Sequence, residues 1–218
     1  MRKNQEYTLV LFDMDGTLLN GRTILSISEK KGLKDTVLSL LQSTKEPYDV
    51  SLEIARLLKG FDCRELLQIF RMIPLQDHVK DVLKKLREQN VKTAIVTDSY
   101  QFLADDLRQR LQIDYAFANN IIINEHIITG DLQPHNHARQ RNDDGKLYSI
   151  CKGSVLDSLC DKLHFRPEQC IAVGDGFVDI DMIKKSGVGI AYNAPLEVRN
   201  HADIVSDDLR VILNYIKM

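Results

Sequence analysis

Apolar positions along this chain follow a helical period in some segments and a strand-like pattern in others, and the two alternate from about residue 86 onward. Residues 78–89 carry apolar side chains at the spacing of one helical face, from Val79 to Leu86, whereas residues 91–96 read as a strand. Such alternation predicts an α/β fold, a Rossmann-like parallel sheet with helices on both faces.

The same pattern places the other elements of this predicted core. Strands are predicted over residues 7–12, 91–96, 170–173 and 188–191, with a last edge strand at 204–205. Helices are predicted over residues 78–89, 102–111, 152–163, 182–186 and 209–216. Residues 121–132 predict a hairpin of two short strands around residues 124–126, and residues 134–145 predict an exposed loop.

One long interval breaks the alternation. Between residues 24 and 74 the sequence predicts four helices, over residues 24–33, 36–42, 50–58 and 64–72, and no convincing strand. We therefore expect residues 20–77 to form a small all-helical cap domain over the active edge of the sheet. The α/β core would then comprise residues 1–19 and 78–218, with hinges near residues 17–21 and 73–77.

Composition narrows the function classes. The 218 residues suffice for one core plus a small accessory domain, and the net charge of -2 offers no attraction for nucleic acid or an anionic membrane. No apolar run approaches the roughly 20 residues of a membrane span. The first apolar stretch, of about six residues, is too short for a signal-peptide core. We expect a cytoplasmic monomer or homodimer whose partner is a small molecule.

Cysteines and histidines do not predict a site of their own. The four cysteines contain no Cys-x-x-Cys pair and are expected to be small buried residues or inert thiols in a reducing cytoplasm: Cys63, Cys151, Cys160 and Cys170. His135 and His137 have no nearby acids or thiols, so we interpret them as part of a solvated loop.

The first predicted strand ends in the most informative segment of the chain, Asp13-Met14-Asp15-Gly16-Thr17. At the carboxyl end of a parallel strand, two acids so close together repel each other unless a cation lies between them. The segment predicts a magnesium site with a carboxylate free for chemistry. The alternative is a pair of turn-forming or helix-capping acids that needs no cation. A calcium loop is excluded because glycine stands fourth in the segment and not sixth.

Three predicted strands end in polar residues suited to phosphate chemistry. Asp13 and Asp15 follow one strand, Thr97 another and Asp175 a third, and the carboxyl ends of parallel strands converge. The three carboxylates form a partial Mg²⁺ shell, and the Thr97 hydroxyl can donate to a phosphate oxygen. Lys152, at a predicted helix start, can neutralise the phosphate and the attacking carboxylate.

In order and spacing, four segments resemble the motifs of the haloacid dehalogenase superfamily of phosphohydrolases. They are Asp13-Met14-Asp15-Gly16-Thr17, Thr97 after its strand, Lys152-Gly153, and Gly174-Asp175-Gly176-Phe177-Val178-Asp179. Three further segments are similar to the phosphoserine phosphatase branch: residues 114–119, 129–131 and 189–194. The helical insertion corresponds to the cap domain of that branch.

The resemblance implies a role for each motif residue. Asp13 would be the nucleophile that becomes an aspartyl-phosphate, and Asp15 the general acid and base. The metal shell would consist of Asp13, Asp175 and the backbone carbonyl of Asp15, with Mg²⁺ as cofactor. Asp179 would orient Lys152 or a bound water. The substrate would be a small phosphorylated metabolite.

The substrate-binding positions depart from the phosphoserine phosphatase pattern. Arg22 stands where that branch has a Glu for the substrate amino group, and Ile54 where it has an Arg for the carboxylate. Asp98 and Ser99 replace two glycines beside Thr97. Reversing the charge at an ammonium contact costs affinity, so phosphoserine is a doubtful substrate. Thr97, Asp98 and Arg22 are the substrate-binding candidates, with solvent exposure the alternative for Arg22.

Several alternatives stay open. Lys152 can be a solvated helix residue, and Asp179 can be a surface acid, the interpretation we favour for Asp181. The function that we expect is a magnesium-dependent phosphatase acting on a small phosphomonoester. A genuine phosphoserine phosphatase and a phosphotransferase are alternatives within the same chemistry. A binding or regulatory protein that kept the fold and lost turnover is an alternative of another class.

Overall fold

In the computed structural model, which describes residues 6–217, seven strands form one sheet in the order β4-β3-β2-β1-β5-β6-β7. All neighbouring strands pair in parallel except β3 and β4, which are antiparallel. The strands are β1 (Leu9–Phe12), β2 (Lys92–Tyr100), β3 (Tyr115–Asn124), β4 (Ile127–Gln133), β5 (Cys170–Gly174), β6 (Val188–Tyr192) and β7 (Ile204–Ser206). The predicted α/β class is confirmed.

Nine α-helices lie within the described residues. Four precede the second strand as an insertion: α1 (Thr23–Lys30), α2 (Lys34–Leu41), α3 (Pro47–Leu57) and α4 (Cys63–Arg71). The other five are α5 (Val79–Glu88), α6 (Gln101–Leu111), α7 (Lys152–Leu163), α8 (Ile180–Lys185) and α9 (Leu196–Arg199). None of these helices is long and apolar enough to cross a membrane.

Helices cover both faces of the sheet. Successive residues of β1 point to opposite faces, so that Val10 packs in a cluster with α5 and α6 while Leu9 and Leu11 pack in a second cluster with α7. All four β1 side chains are buried, as expected of the central strand of a parallel sheet. A strand buried on both sides is held rigidly, and it delivers the residue after it, Asp13, to a fixed position.

Some predicted boundaries were wrong. Strand β2 continues to Tyr100, so Thr97 lies inside the strand and not after it. Strand β3 starts at Tyr115, because its first half pairs with β2 although its small and polar residues carry no strand pattern. The last predicted helix is a 3₁₀ helix, Leu209–Tyr215. The loop at residues 134–145 is irregular, but it is anchored by buried Asn136, whose amide donates to the Tyr148 carbonyl at 2.9 Å.

The chain enters and leaves the four inserted helices through two segments that pair with each other in antiparallel orientation. The amide of Asn20 donates to the carbonyl of Pro74 at 2.8 Å, and the amide of Gln76 donates to the carbonyl of Leu18 at 2.9 Å. The far side of the insertion meets the β3–β4 hairpin, where the Gly60 amide donates to the carbonyl of Ile128 at 2.8 Å. The insertion is therefore all-helical, as predicted, and lies beside the carboxyl ends of the strands.

Candidate active site

The site is built at the ends of three adjacent strands. Strand β1 lies between β2 and β5, with Phe12 opposite Ile95 on one side and Val173 on the other. The Asp13 amide donates to the Val173 carbonyl at 2.9 Å, which extends the pairing one residue beyond the strand. Parallel pairing in this register brings the predicted residues from the three strands to one edge of the sheet.

A buried ammonium group links two of the carboxylates. Lys152, the first residue of α7, is 0% exposed, and its Nζ forms a short ion pair with Asp13 Oδ1 and another, at 2.6 Å, with Asp179 Oδ1. Burial disfavours the charged lysine, but Asp13 and Asp179 outweigh that effect and raise its pKa. Lys152 is therefore a charged group of the site and not a solvated helix residue.

Asp13, Asp175 and Asp179 form an acidic group, because each offers a carboxylate oxygen within 4.8 Å of the other two. Burial, and then repulsion by Asp179, raises the pKa of Asp175 to about 6. Burial also raises the pKa of Asp13, against the attraction of Lys152. Two buried carboxylates with raised pKa values, Asp13 and Asp175, suit a divalent cation, which would relieve the repulsion between them.

Asp179 is already bound within the protein. One of its oxygens accepts from Lys152, and Oδ2 accepts from the amides of Asp175 and Gly176 at 3.1 and 2.9 Å. These bonds fold residues 174–179 around the carboxylate. The arrangement suits a residue that orients Lys152 and Asp175, and it leaves Asp13 and Asp175 as the carboxylates that are better placed to hold a metal.

The Asp15 carboxylate lies outside the acidic group. Its Oδ1 accepts from the Thr23 hydroxyl at 2.5 Å and from the Thr23 amide at 3.1 Å, so the side chain points towards the start of α1. Burial raises the pKa of Asp15 to about 7, although the hydrogen bonds from Thr23 oppose the shift. A carboxyl with this pKa exchanges its proton near neutral pH, as a general acid and base requires.

Gly16 allows this turn to pass beside the acidic group. It has a φ of +94°, and a Cβ at this position would lie 2.4 Å from Asp175 Oδ2. A side chain there would be strained by the backbone conformation and would also displace Asp175. The chain therefore needs glycine at the point where Asp13 and Asp15 diverge.

The three candidate substrate contacts differ in exposure. Thr97 is fully buried and its hydroxyl accepts from the Ser99 amide at 3.2 Å, whereas Asp98 is exposed. The Arg22 side chain is 57% exposed, and its Nη2 lies 3.6 Å from Asp175 Oδ2. Arg22 thus reaches the rim of the acidic group while most of its surface remains in solvent.

Two residues were misjudged or missed from the sequence. Asp181, interpreted as a surface acid, is only 8% exposed because it packs behind Gly153, and its Oδ1 accepts from the Asp143 amide at 3.4 Å. It lies outside the acidic group. Thr23 was missed because its contact with Asp15 spans eight positions and depends on the turn at Gly16. Its place directly before an apolar helical stretch is the one signal in the sequence.

Comparisons with known proteins identify this arrangement. A family model described as haloacid dehalogenase-like hydrolase matches residues 7–187. The chain belongs to that family. It is 31% identical over 208 residues to a phosphoserine phosphatase of Archaeoglobus fulgidus, covering 92% of this chain and 56% of that protein. It is 30% identical to a phosphoserine phosphatase of Methanocaldococcus jannaschii, covering 96% of this chain and 97% of the relative.

The fold of this haloacid dehalogenase-like hydrolase is also similar to a solved structure. That structure is described as a phospho-aspartyl intermediate analogue of phosphoserine phosphatase, and it has 28% sequence identity and a TM-score of 0.82. The likeness covers 98% of this chain and 100% of the other. Within the family, the chain therefore falls in the phosphoserine phosphatase-like branch.

Proposed function

We propose that this chain is a magnesium-dependent phosphomonoesterase that hydrolyses a small phosphorylated metabolite through an aspartyl-phosphate on Asp13. The observation that carries the proposal is the buried Lys152 ammonium, which contacts Asp13 inside the acidic group. Phosphoryl transfer requires a positioned nucleophile and strong charge neutralisation, and this arrangement supplies both.

Asp13 is the proposed nucleophile. Its carboxylate oxygen attacks phosphorus, and the bond from phosphorus to the ester oxygen breaks. Asp13, Asp175 and the backbone carbonyl of Asp15 would hold Mg²⁺, whose charge lets a carboxylate approach a phosphate dianion. Lys152 neutralises the same charge from the buried side, and the Thr97 hydroxyl donates to a phosphate oxygen.

Asp15 is the proposed proton carrier. Its raised pKa of about 7 keeps a proton available to the departing alkoxide near neutral pH. After the alcohol leaves, the same carboxylate takes a proton from the water that attacks the aspartyl-phosphate, and the bond from phosphorus to the Asp13 oxygen breaks, which releases phosphate. Asp15 lines the large cavity between the inserted helices and the sheet, where a leaving group has room.

The inserted helices are proposed to act as a cap. Residues 20–77 would be the cap domain, and residues 1–19 and 78–218 the core. Closure about the paired connections at residues 18–20 and 74–76 would exclude water until the leaving group departs.

The identity of the metabolite is a separate question. Phosphoserine is favoured by the names of the relatives, but Arg22 and Ile54 stand where that pattern needs the opposite charge and a cation. We therefore favour another small phosphomonoester.

The free thiols of all four cysteines support a cytoplasmic location.

The test is phosphate release from a panel of small phosphomonoesters with and without Mg²⁺. We expect release that requires Mg²⁺ and is lost in Asp13→Asn. Folded protein that binds Mg²⁺ but releases no phosphate from any ester would favour the retired binding protein or a phosphotransferase.

A further inference from the structure

The cavity beside Asp15 is a feature of the site that the proposed chemistry leaves unexplained. It has a volume of about 540 Å³, within the range of about 300–1,000 Å³ typical of pockets for drug-sized ligands. Asp15 and Asp98 lie at its catalytic end. Because Asp15 must reach the oxygen of the leaving group, the organic part of the substrate occupies this cavity.

The walls of the cavity combine apolar side chains with hydroxyl groups. The hydroxyl groups belong to Ser43, Thr44, Ser51 and Ser99. The apolar side chains come from α1, α2, α3 and the ends of β2 and β4: Ile24, Leu41, Val50, Ile54, Tyr100 and Leu132. Val50 and Ile54 also belong to a small buried cluster, so the wall is fixed by packing and not by loose side chains. Ile54 thus offers hydrocarbon at the position that the phosphoserine phosphatase pattern gives to an arginine.

Two charged residues on the wall already have partners. Lys45 Nζ donates to both oxygens of Glu53 at 2.6 and 2.7 Å. Glu46 accepts from Arg141 at 2.7 Å and from the Leu147 amide at 3.0 Å. A zwitterionic group would lose hydration in this part of the cavity without gaining an ion pair in return.

Besides Asp15, two charged lining residues remain, and both are open to solvent. Asp98 is exposed, and Lys146 Nζ lies over the Phe177 ring at 5.4 Å from its centroid. Neither belongs to the apolar wall formed by the helices. The apolar part of the wall therefore favours hydrocarbon, and the two exposed charged residues stay in contact with water.

We infer that the substrate is a phosphomonoester whose alcohol is an apolar group larger than serine, held by the cavity between α1–α3 and the ends of β2 and β4. This inference rests on the proposed function. Burial of the alcohol on the apolar wall supplies binding energy at a distance from the phosphate. This energy can drive closure of the cap.

The experiment uses n-alkyl phosphates from ethyl to octyl, because lengthening the chain barely changes the basicity of the departing alkoxide. We expect kcat/KM to rise about fourfold per methylene until the cavity is full, which corresponds to about 0.8 kcal/mol per buried methylene. The kcat/KM for hexyl phosphate is expected to exceed that for phospho-L-serine. A flat series, or a preference for phospho-L-serine over hexyl phosphate, would overturn the inference.

Two variants test whether the dependence of kcat/KM on chain length arises in this cavity. Leu41 is 45% exposed at the cavity, so Leu41→Asn should fold and should reduce the dependence on chain length. Leu196 is 68% exposed on α9, away from the cavity, so Leu196→Asn is the matched control and should leave the dependence unchanged. Equal effects of the two variants would contradict the placement of the alcohol.

Calorimetric binding of n-alkylphosphonates in Mg²⁺ separates this inference from the proposed function. These analogues have no ester bond to break, so their affinity reports on the cavity even if no substrate turns over. Affinity that rises with chain length supports the apolar cavity even if no ester is hydrolysed. Affinity that is independent of chain length refutes it, even for an active phosphatase.

Discussion

At the scale of single residues, the central feature is a lysine without solvent contact. Lys152 compensates Asp13 and Asp179, two carboxylates that are themselves buried. Removing one partner of a buried ion pair leaves an uncompensated charge, which costs far more than an exposed pair contributes. The same group therefore serves both the stability of the site and its proposed chemistry.

We expect Lys152→Met to lower the free energy of unfolding by about 3–5 kcal/mol in metal-free buffer at neutral pH, because Asp13 and Asp179 lose their cation. Phosphate release should fall at least about 10²-fold. Urea denaturation and a turnover assay measure the two effects. Lys162→Met, an exposed position near the end of the same helix, is the control. Similar stability of the two variants would show that Lys152 is not the compensating charge.

The bond between Thr23 and Asp15 makes a prediction about pH. Its loss in Thr23→Val removes a contact that lowers the pKa of Asp15, so this pKa should rise above its value of about 7. An acid donates its proton only below its pKa, so the alkaline limb of the rate of phosphoryl transfer should move to higher pH. Single-turnover rates across pH provide the measurement. If the alkaline limb does not move, as expected for the exposed control Thr36→Val, Thr23 does not influence proton transfer by Asp15.

At the scale of elements, the site depends on turns as much as on strands. The turn after β1 separates Asp13 from Asp15 at Gly16, and residues 174–179 wrap around Asp179. The first turn lies against Asp175, which is far away in the sequence, whereas the second is held by hydrogen bonds between residues three and four positions apart. Changes of a single atom in them should therefore propagate to the acidic group.

We expect Gly16→Ala to lose at least about 10²-fold in activity, since a displacement of about 1 Å has effects of this size. The new Cβ would displace Asp175, so Mg²⁺ affinity should fall as well. Gly32→Ala is the matched control, because Gly32 has a φ of +70° and a Cβ there would meet no atom of the described residues within 4 Å. It should cost about 1 kcal/mol of stability and leave activity intact. If both variants kept full activity, the close approach to Asp175 would be functionally unimportant.

Periodicity predicted the central strands and most helices because those elements bury regular apolar faces, as in β1 and α5. It missed the first half of β3, where pairing with β2 decides the structure and the side chains do not alternate. The motif residues could be placed at one edge because parallel strands converge there. Two features could not be predicted from the sequence: the bond from Thr23 to Asp15 and the burial of Asp181. The first depends on a contact across a turn, and the second on the packing of a helix face.

At the scale of the whole molecule, the helical insertion contacts the core both at its two ends and along its length. The paired connections at residues 18–20 and 74–76 resemble a hinge, whereas Gly60 and Ile128 join the far side to the β3–β4 hairpin. The insertion also packs into the main buried cluster of the molecule, which Leu58 and Phe70 share with Ile128 of the hairpin.

Closure of the proposed cap predicts a change in protease sensitivity. Mg²⁺ with beryllium fluoride, a mimic of the phosphoryl group, should protect residues 18–20 and 74–76 from limited proteolysis. Asp13→Asn is the control, because it lacks the carboxylate that would hold the mimic. Cleavage at the same rate with and without the mimic in the wild-type protein would count against ligand-dependent closure.

The most direct test of the account is to trap the covalent intermediate. Protein that is turning over a phosphomonoester in Mg²⁺ is quenched in acid, digested and examined by mass spectrometry. The account predicts one phosphoryl group on the peptide that contains Asp13, absent after removal of Mg²⁺ and absent in Asp13→Asn. Continued turnover by Asp13→Asn, or a phosphoryl group on another residue, would contradict the assignment of Asp13 as the nucleophile.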